Sequence, residues 1–118
     1  MFRTSQPMPA SVIDVDLPAL RATAAHCCAL LKALANTDRL LLLCQLVEGE
    51  RNVGQLEALT GIRQPTLSQQ LAVLRDEGLV GTRRAGKYIY YSMASLEGRQ
   101  VMQTLSGLYC SRSLERAQ

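Results

Sequence analysis

Residues Gly61 to Glu77 read Gly-Ile-Arg-Gln-Pro-Thr-Leu-Ser-Gln-Gln-Leu-Ala-Val-Leu-Arg-Asp-Glu, and the fold turns on them. Leu67, Leu71 and Leu74 recur at i, i+4 and i+7, which places one apolar stripe along a helix and aims it at a core. At about 100° per residue, Pro65, Ser68, Gln69 and Ala72 fall on the opposite side. Small, hydroxyl and amide side chains make up that outer face, where an ordinary solvated helix carries a Lys/Glu mixture. Such a face can approach a flat polar partner closely. The major groove of DNA accepts a helix, and Gln, Ser and Thr near the helix start reach base edges or phosphates.

The flanking residues extend this reading. Upstream, Val53 to Thr60 reads as a short helix with Val53, Leu56 and Leu59 at i, i+3 and i+6, closed by Gly61. Two short helices joined by a glycine-containing turn form a helix-turn-helix, in which the second helix reads. Downstream, Gly78 is expected to stop the reading helix as a left-handed cap. Leu79 to Arg84 and Tyr88 to Met93 then read as two strands around Ala85-Gly86-Lys87, a hairpin signal. Placed directly after the reading helix, with Arg83, Arg84 and Lys87 at its tip, that hairpin reads as a wing.

Charge is distributed in keeping with this. The chain of 118 residues has a net charge of +3, too mild by itself to indicate nucleic acid. Residues 61 to 92 carry five basic and two acidic groups, whereas residues 1 to 60 carry five basic and six acidic. The surplus therefore lies on the segment assigned to DNA, where it would neutralise phosphates. No secretory leader or membrane span is visible, which points to the cytoplasm. In a reducing compartment the four cysteines read as packing, metal ligands or redox-active thiols rather than as a disulfide framework.

The rest of the chain supports a single domain over residues 17–110, with an arm at 1–16 containing Pro7 and Pro9 and a polar tail at 111–118. Asp16 and Pro18 signal a helix start. The helix they open runs through Ala35 and carries Leu20, Leu30, Leu31 and Leu34 among alanines that allow another helix to approach. Asn36 or Thr37 would cap the next helix, whose run from Leu40 to Val47 is apolar nearly all round and is expected to be buried. Ser95 would cap a last amphipathic helix bearing Leu96, Val101, Met102, Leu105, Leu108 and Tyr109. That helix has little left to pack against except the first helix or a second subunit. The expected architecture is mainly α with a β-hairpin wing: a winged helix-turn-helix in the order α-α-α-α-β-β-α, homodimeric. A dimer also suits DNA, since two reading helices about 34 to 36 Å apart enter successive major grooves.

Several stretches together resemble the ArsR family of winged-helix repressors over roughly residues 20 to 110. They are Leu-Leu-Lys-Ala-Leu-Ala at 30–35, Asp38-Arg39-Leu40, Leu46-Val-Glu-Gly-Glu50, Gln64-Pro-Thr-Leu-Ser-Gln-Gln-Leu71 with Leu74-Arg75, and Tyr88-Ile-Tyr-Tyr91. More narrowly the chain resembles the dithiol, persulfide-responsive branch of that family, the BigR and SqrR type. Many members have His-Pro at the positions of Thr37-Asp38, and His at that of Gln70. The resemblance implies an operator-binding repressor with Gln64, Thr66, Ser68, Gln69, Arg83, Arg84 and Lys87 toward double-stranded DNA. The branch's cysteine pair maps onto Cys44 and Cys110. The implied inducer is a reactive sulfur species or an oxidant, and a di- or polysulfide bridge between the pair would lower operator affinity.

Metal sensing is the competing reading within the family. Its third-helix site would need a thiolate pair where this chain has Asn52-Val53-Gly54-Gln55-Leu56. Its last-helix site would need histidine, and Ser95 to Tyr109 offers Glu97 but no His. His26-Cys27-Cys28 remains as a non-standard candidate, although adjacent helical residues diverge by about 100°. The simpler reading makes Cys27 and Cys28 small core or interface residues and leaves His26 at the surface. No cofactor and no metal site is expected. A single histidine, no Gly-rich phosphate loop and no Ser or Cys paired with a base argue against an enzyme. A protein-interaction module with a degenerate winged helix is the alternative from another class.

Overall fold

A computed structural model describes residues 16–110, with the side chain of Cys110 outside the description. The elements are α1 (Leu17–Leu34), α2 (Thr37–Glu48), β1 (Arg51–Asn52), α3 (Val53–Thr60), α4 (Thr66–Asp76), β2 (Val80–Ala85), β3 (Tyr88–Met93) and α5 (Leu96–Leu105), which continues into a wider π-type turn over Ser106–Cys110. The fold is the expected winged helix-turn-helix with one added strand. The expected N-terminal arm and C-terminal tail lie outside the described residues, apart from Asp16.

Local chemistry accounts for most boundaries. Asn36, one of the two expected caps, accepts from the Arg39 amide at 3.0 Å and starts α2. Asn52 and Gln55 exchange side-chain and backbone hydrogen bonds in a capping box that opens α3. The Ser95 hydroxyl accepts from the Gly98 amide at 2.9 Å and opens α5. At the end of α4, Gly78 takes φ +76°. Its amide donates to Arg75 O and the Leu79 amide donates to Leu74 O, each at 3.0 Å. These are the two bonds of a Schellman closure, which glycine accommodates because it has no Cβ. Asp16 does stand at the N-cap of α1, but its side chain makes no capping hydrogen bond there.

The sheet is antiparallel in the order β1-β3-β2. β2 and β3 pair from Val80 opposite Met93 to Ala85 opposite Tyr88, leaving Gly86 and Lys87 as the turn. β1 adds Arg51 opposite Tyr91 and Asn52 opposite Tyr90. This two-residue strand ties the start of α3 to the wing, and the sequence reading did not anticipate it.

The core gathers Leu42, Leu43 and Leu46 of α2, Leu56 of α3, Leu67, Leu71 and Leu74 of α4, and Met102 of α5. Around them lie Ala33, Leu34, Ile62, Leu79 and Val80. On α3, Leu56 is buried and Val53 half-buried, while Leu59 is 52% exposed. One expectation needs correction: on α2, Leu41 is 42% exposed, so the four-leucine run is not buried all round. Both follow from geometry, because a helix resting on one side of a small core cannot bury every face. Gly98 is buried where α5 meets Leu79: a Cβ there would stand 2.9 Å from Leu79 Cδ2, so glycine permits that approach. Among the described residues no helix is long and apolar enough to cross a membrane.

Candidate nucleic-acid interface

α4 presents the two faces expected of it. Leu67, Leu71 and Leu74 are at most 1% exposed, while Pro65, Ser68, Gln69 and Ala72 all lie on the surface. Thr66 is half-buried and Gln64 exposed. Gln64 has a local task as well. Its Oε1 accepts from the Ser68 amide at 3.1 Å, satisfying one of the amides that a helix start leaves without an intrahelical partner. That leaves the Gln64 amide group as a donor, alongside Ser68 and Gln69, along one edge of the helix.

The three wing cations do not stand alike. Arg83 grips Glu50 in a two-pronged ion pair, Nε to Oε2 and Nη2 to Oε1, both at 2.8 Å. Its guanidinium also lies 4.9 Å from the centroid of the Tyr90 ring. The hydrogen bond from Arg83, with the adjacent positive charge, holds the Glu50 carboxyl below the usual carboxylate range, and the same bond raises Arg83 further. Both side chains remain open to water, so screening keeps the pair's contribution to stability small. Arg84, by contrast, makes only a 3.5 Å contact from Nη1 to the Gly86 carbonyl and is exposed. Lys87 is exposed too, with Nζ 5.6 Å from the Tyr88 ring centroid. Strand alternation puts Arg83 and Arg84 on opposite faces of the hairpin.

Sequence reasoning missed Glu50, Tyr88 and Tyr90 as neighbours of these cations. The cross-strand row Asn52, Tyr90 and Arg83 creates the arrangement, and it cannot be seen without β1. It also missed the partner of Gln70, which accepts a hydrogen bond from Arg39 at 2.8 Å.

The sequence pattern described as "Bacterial regulatory protein, arsR family" matches residues 36–82, from the cap of α2 into the wing. A biofilm growth-associated repressor of Agrobacterium fabrum is 45% identical over 103 residues, covering 87% of this chain and 88% of that protein. The chain belongs to the arsR family of bacterial regulatory proteins. Among solved structures, the transcriptional repressor BigR from Xylella fastidiosa superposes with a TM-score of 0.73 at 44% identity, covering 81% of this chain and 98% of that one. Reduced HlyU from Vibrio cholerae superposes with a TM-score of 0.75 at 39% identity, covering 78% and 97%. For this arsR-family chain, α3 and α4 are thus the helix-turn-helix pair and the β2–β3 hairpin is the wing.

The cysteines divide by position. Cys44 is half-buried on α2, packed against the core on the side of Leu40 and Val47. Cys110 ends the π-type turn after α5, and its side chain lies outside the description. Cys27 and Cys28 are exposed on α1, as is His26. Of the two places expected for the adjacent cysteines, core or interface, this chain's own core is not where they lie, because the first three turns of α1 extend beyond it. Among the described residues, no group of three or more His, Cys, Asp and Glu side chains is placed to hold a metal ion.

Proposed function

We propose that the protein is a homodimeric transcriptional repressor that reads double-stranded operator DNA through α4 and the wing, and that Cys44 and Cys110 switch it in response to reactive sulfur species. The outward face of α4 carries the DNA reading. Gln64, Ser68 and Gln69 are exposed there on a helix whose other side is anchored by three buried leucines. Arg84 and Lys87 then meet phosphates beside the reading helix, which fixes its register without specifying sequence.

The dimer reading is supported by apolar side chains on the first and last helical elements. Leu17, Leu20 and Leu31 on α1, and Leu108 and Tyr109 after α5, are all more than half exposed. A second copy covers them through a two-fold contact in which each subunit offers the same face.

The sensing reading is supported by the place of Cys44 on α2, the helix on which α5 rests through the Arg99 guanidinium donating to Val47 O at 3.3 Å. A persulfide donor RSSH transfers its outer sulfur to one cysteine thiolate, releasing RSH and leaving a cysteine persulfide. The second thiolate attacks the inner sulfur of that persulfide. The S–S bond between the cysteines forms, and hydrosulfide leaves with the displaced electron pair. Further donor molecules lengthen the bridge to a polysulfide, which relaxes the Cα separation of about 4.4 to 6.8 Å that a plain disulfide demands. A bridge between α2 and the end of the last helix alters the spacing of the reading helices. A hundredfold fall in affinity requires only about 2.7 kcal/mol of difference between states.

The test treats the full-length protein with glutathione persulfide and follows intact mass and duplex affinity together. The expected wild-type product has lost two hydrogens, with or without added sulfur, and binds DNA at least tenfold more weakly. Cys44→Ser and Cys110→Ser should form no intramolecular bridge and retain affinity. Unchanged wild-type affinity, or variants that respond like wild type, would remove the sensor while leaving the DNA reading in place.

A further inference from the structure

Arg39, near the start of α2, uses all three nitrogens of its guanidinium. Nε donates to Ala33 O at 2.6 Å, Nη2 to Lys32 O at 3.1 Å, and Nη1 to Oε1 of Gln70 at 2.8 Å. The first two acceptors belong to the last turn of α1, where a helix leaves carbonyls without intrahelical partners. The third lies on α4, between Gln69 on the outward face and Leu71 in the core. One planar group therefore holds the end of α1 and the middle of the reading helix in fixed relation, and its rigid fork leaves little angular play.

Leucine contacts cannot supply that constraint. Leu67, Leu71 and Leu74 hold α4 against the core, but burial of apolar surface is non-directional and tolerates small rotations about the helix axis. The Arg39–Gln70 bond is directional. α1 is also the helix that exposes Leu17, Leu20 and Leu31 for a second subunit. We propose that Arg39 and Gln70 are positioning residues that set the angle of each reading helix relative to the dimer seam, and so determine which half-site spacing the protein accepts. This rests on the dimeric DNA-binding reading above.

The consequence is measurable because shifting one half-site by a base pair both translates and rotates it about the duplex. A rigidly held reader rejects that shift, whereas a loosened reader follows it. The experiment uses the full-length protein and duplexes in which two copies of its selected half-site are separated by spacers changed one base pair at a time. Wild type should prefer one spacing over its neighbours by roughly tenfold, a gap that Arg39→Lys or Gln70→Ala narrows to about two- to threefold by weakening binding mainly at the preferred spacing. Lysine keeps the charge but lacks the fork. The double variant should match Arg39→Lys, since the one bond that Gln70→Ala removes is already lost with the guanidinium. Gln70→Glu should keep the wild-type profile, because a carboxylate oxygen still accepts from Arg39; any phosphate repulsion it adds lowers binding at every spacing alike.

A purely structural role lowers affinity by one factor at all spacings and leaves the profile intact, and that outcome in Arg39→Lys and Gln70→Ala would overturn the proposal. So would additive losses in the double variant, which would place Gln70 on the DNA instead. Wild-type protein that selects no paired half-sites would overturn the dimeric reading and this inference with it, an outcome distinct from an unchanged spacing profile in the variants.

Discussion

The wing offers a quantitative test, because its three cations are engaged so differently. Each phosphate neutralised on B-DNA contributes about 0.9 to the slope of log affinity against log salt, so a residue acting once in each subunit contributes about 1.8. Over a fourfold change in salt, that amounts to roughly tenfold in affinity per wing residue. Arg84 and Lys87 have no carboxylate partner among the described residues and should contribute in full, so Arg84→Gln and Lys87→Gln should each flatten the slope by close to that amount. Arg83 is already neutralised by Glu50 through two 2.8 Å bonds and lies against Tyr90. Arg83→Gln should therefore change the slope by much less than either, and Glu50→Gln should steepen it by releasing a cation. Fluorescence anisotropy on a selected duplex at four or five salt concentrations gives every slope. If Arg83→Gln flattens the slope as much as Arg84→Gln, then Arg83 leaves Glu50 for phosphate and the wing has been misread.

Other outcomes follow from the core and the ion pair. Leu71→Ala removes a side chain that is 1% exposed beneath the reading face, and should cost about 2 to 5 kcal/mol in denaturant unfolding. Gly98→Ala places a methyl 2.9 Å from Leu79 Cδ2; an overpacking cost of about 1 to 3 kcal/mol is offset by about 1 kcal/mol of helix propensity, so the melting temperature should fall only slightly. The Glu50 carboxyl titrates below the usual carboxylate range because Arg83 hydrogen-bonds its charged form. Its small contribution to stability is thus complete above the unfolded-state carboxylate pKa and is lost as pH falls through the lowered folded-state value. Carboxyl NMR should show Glu50 titrating at lower pH than in Arg83→Gln, and equal midpoints would contradict the pairing.

How much of this the amino-acid pattern disclosed depended on whether a feature was periodic or tertiary. The α4 leucines, the Gly78 closure, the Gly86 turn and the Ser95 cap are written in short-range spacing, and each stands where its residue type demands. Leu41 was misjudged because periodicity identifies an apolar face but not how much core is available to cover it. Cys27 and Cys28, read as core or interface residues, lie outside this chain's core because α1 extends beyond it. β1 was missed because two residues, Arg51 and Asn52, carry no strand signal and are recruited only by the edge that Tyr90 and Tyr91 present. The side-chain partners of Arg39 and Arg83, Gln70 and Glu50, lie 31 and 33 residues away, beyond any local pattern.

Whether α4 reads bases with its outer face is tested most directly by selecting duplexes from a random library with wild type and with Gln69→Ala. The wild-type protein should recover a two-fold symmetric site. Gln69→Ala should recover the same site with preference lost at one symmetric pair of positions, each worth about 1 to 3 kcal/mol of discrimination. An unchanged preference in Gln69→Ala and in Ser68→Ala, or no enriched site with wild type, would contradict the assignment of α4 as the reading helix.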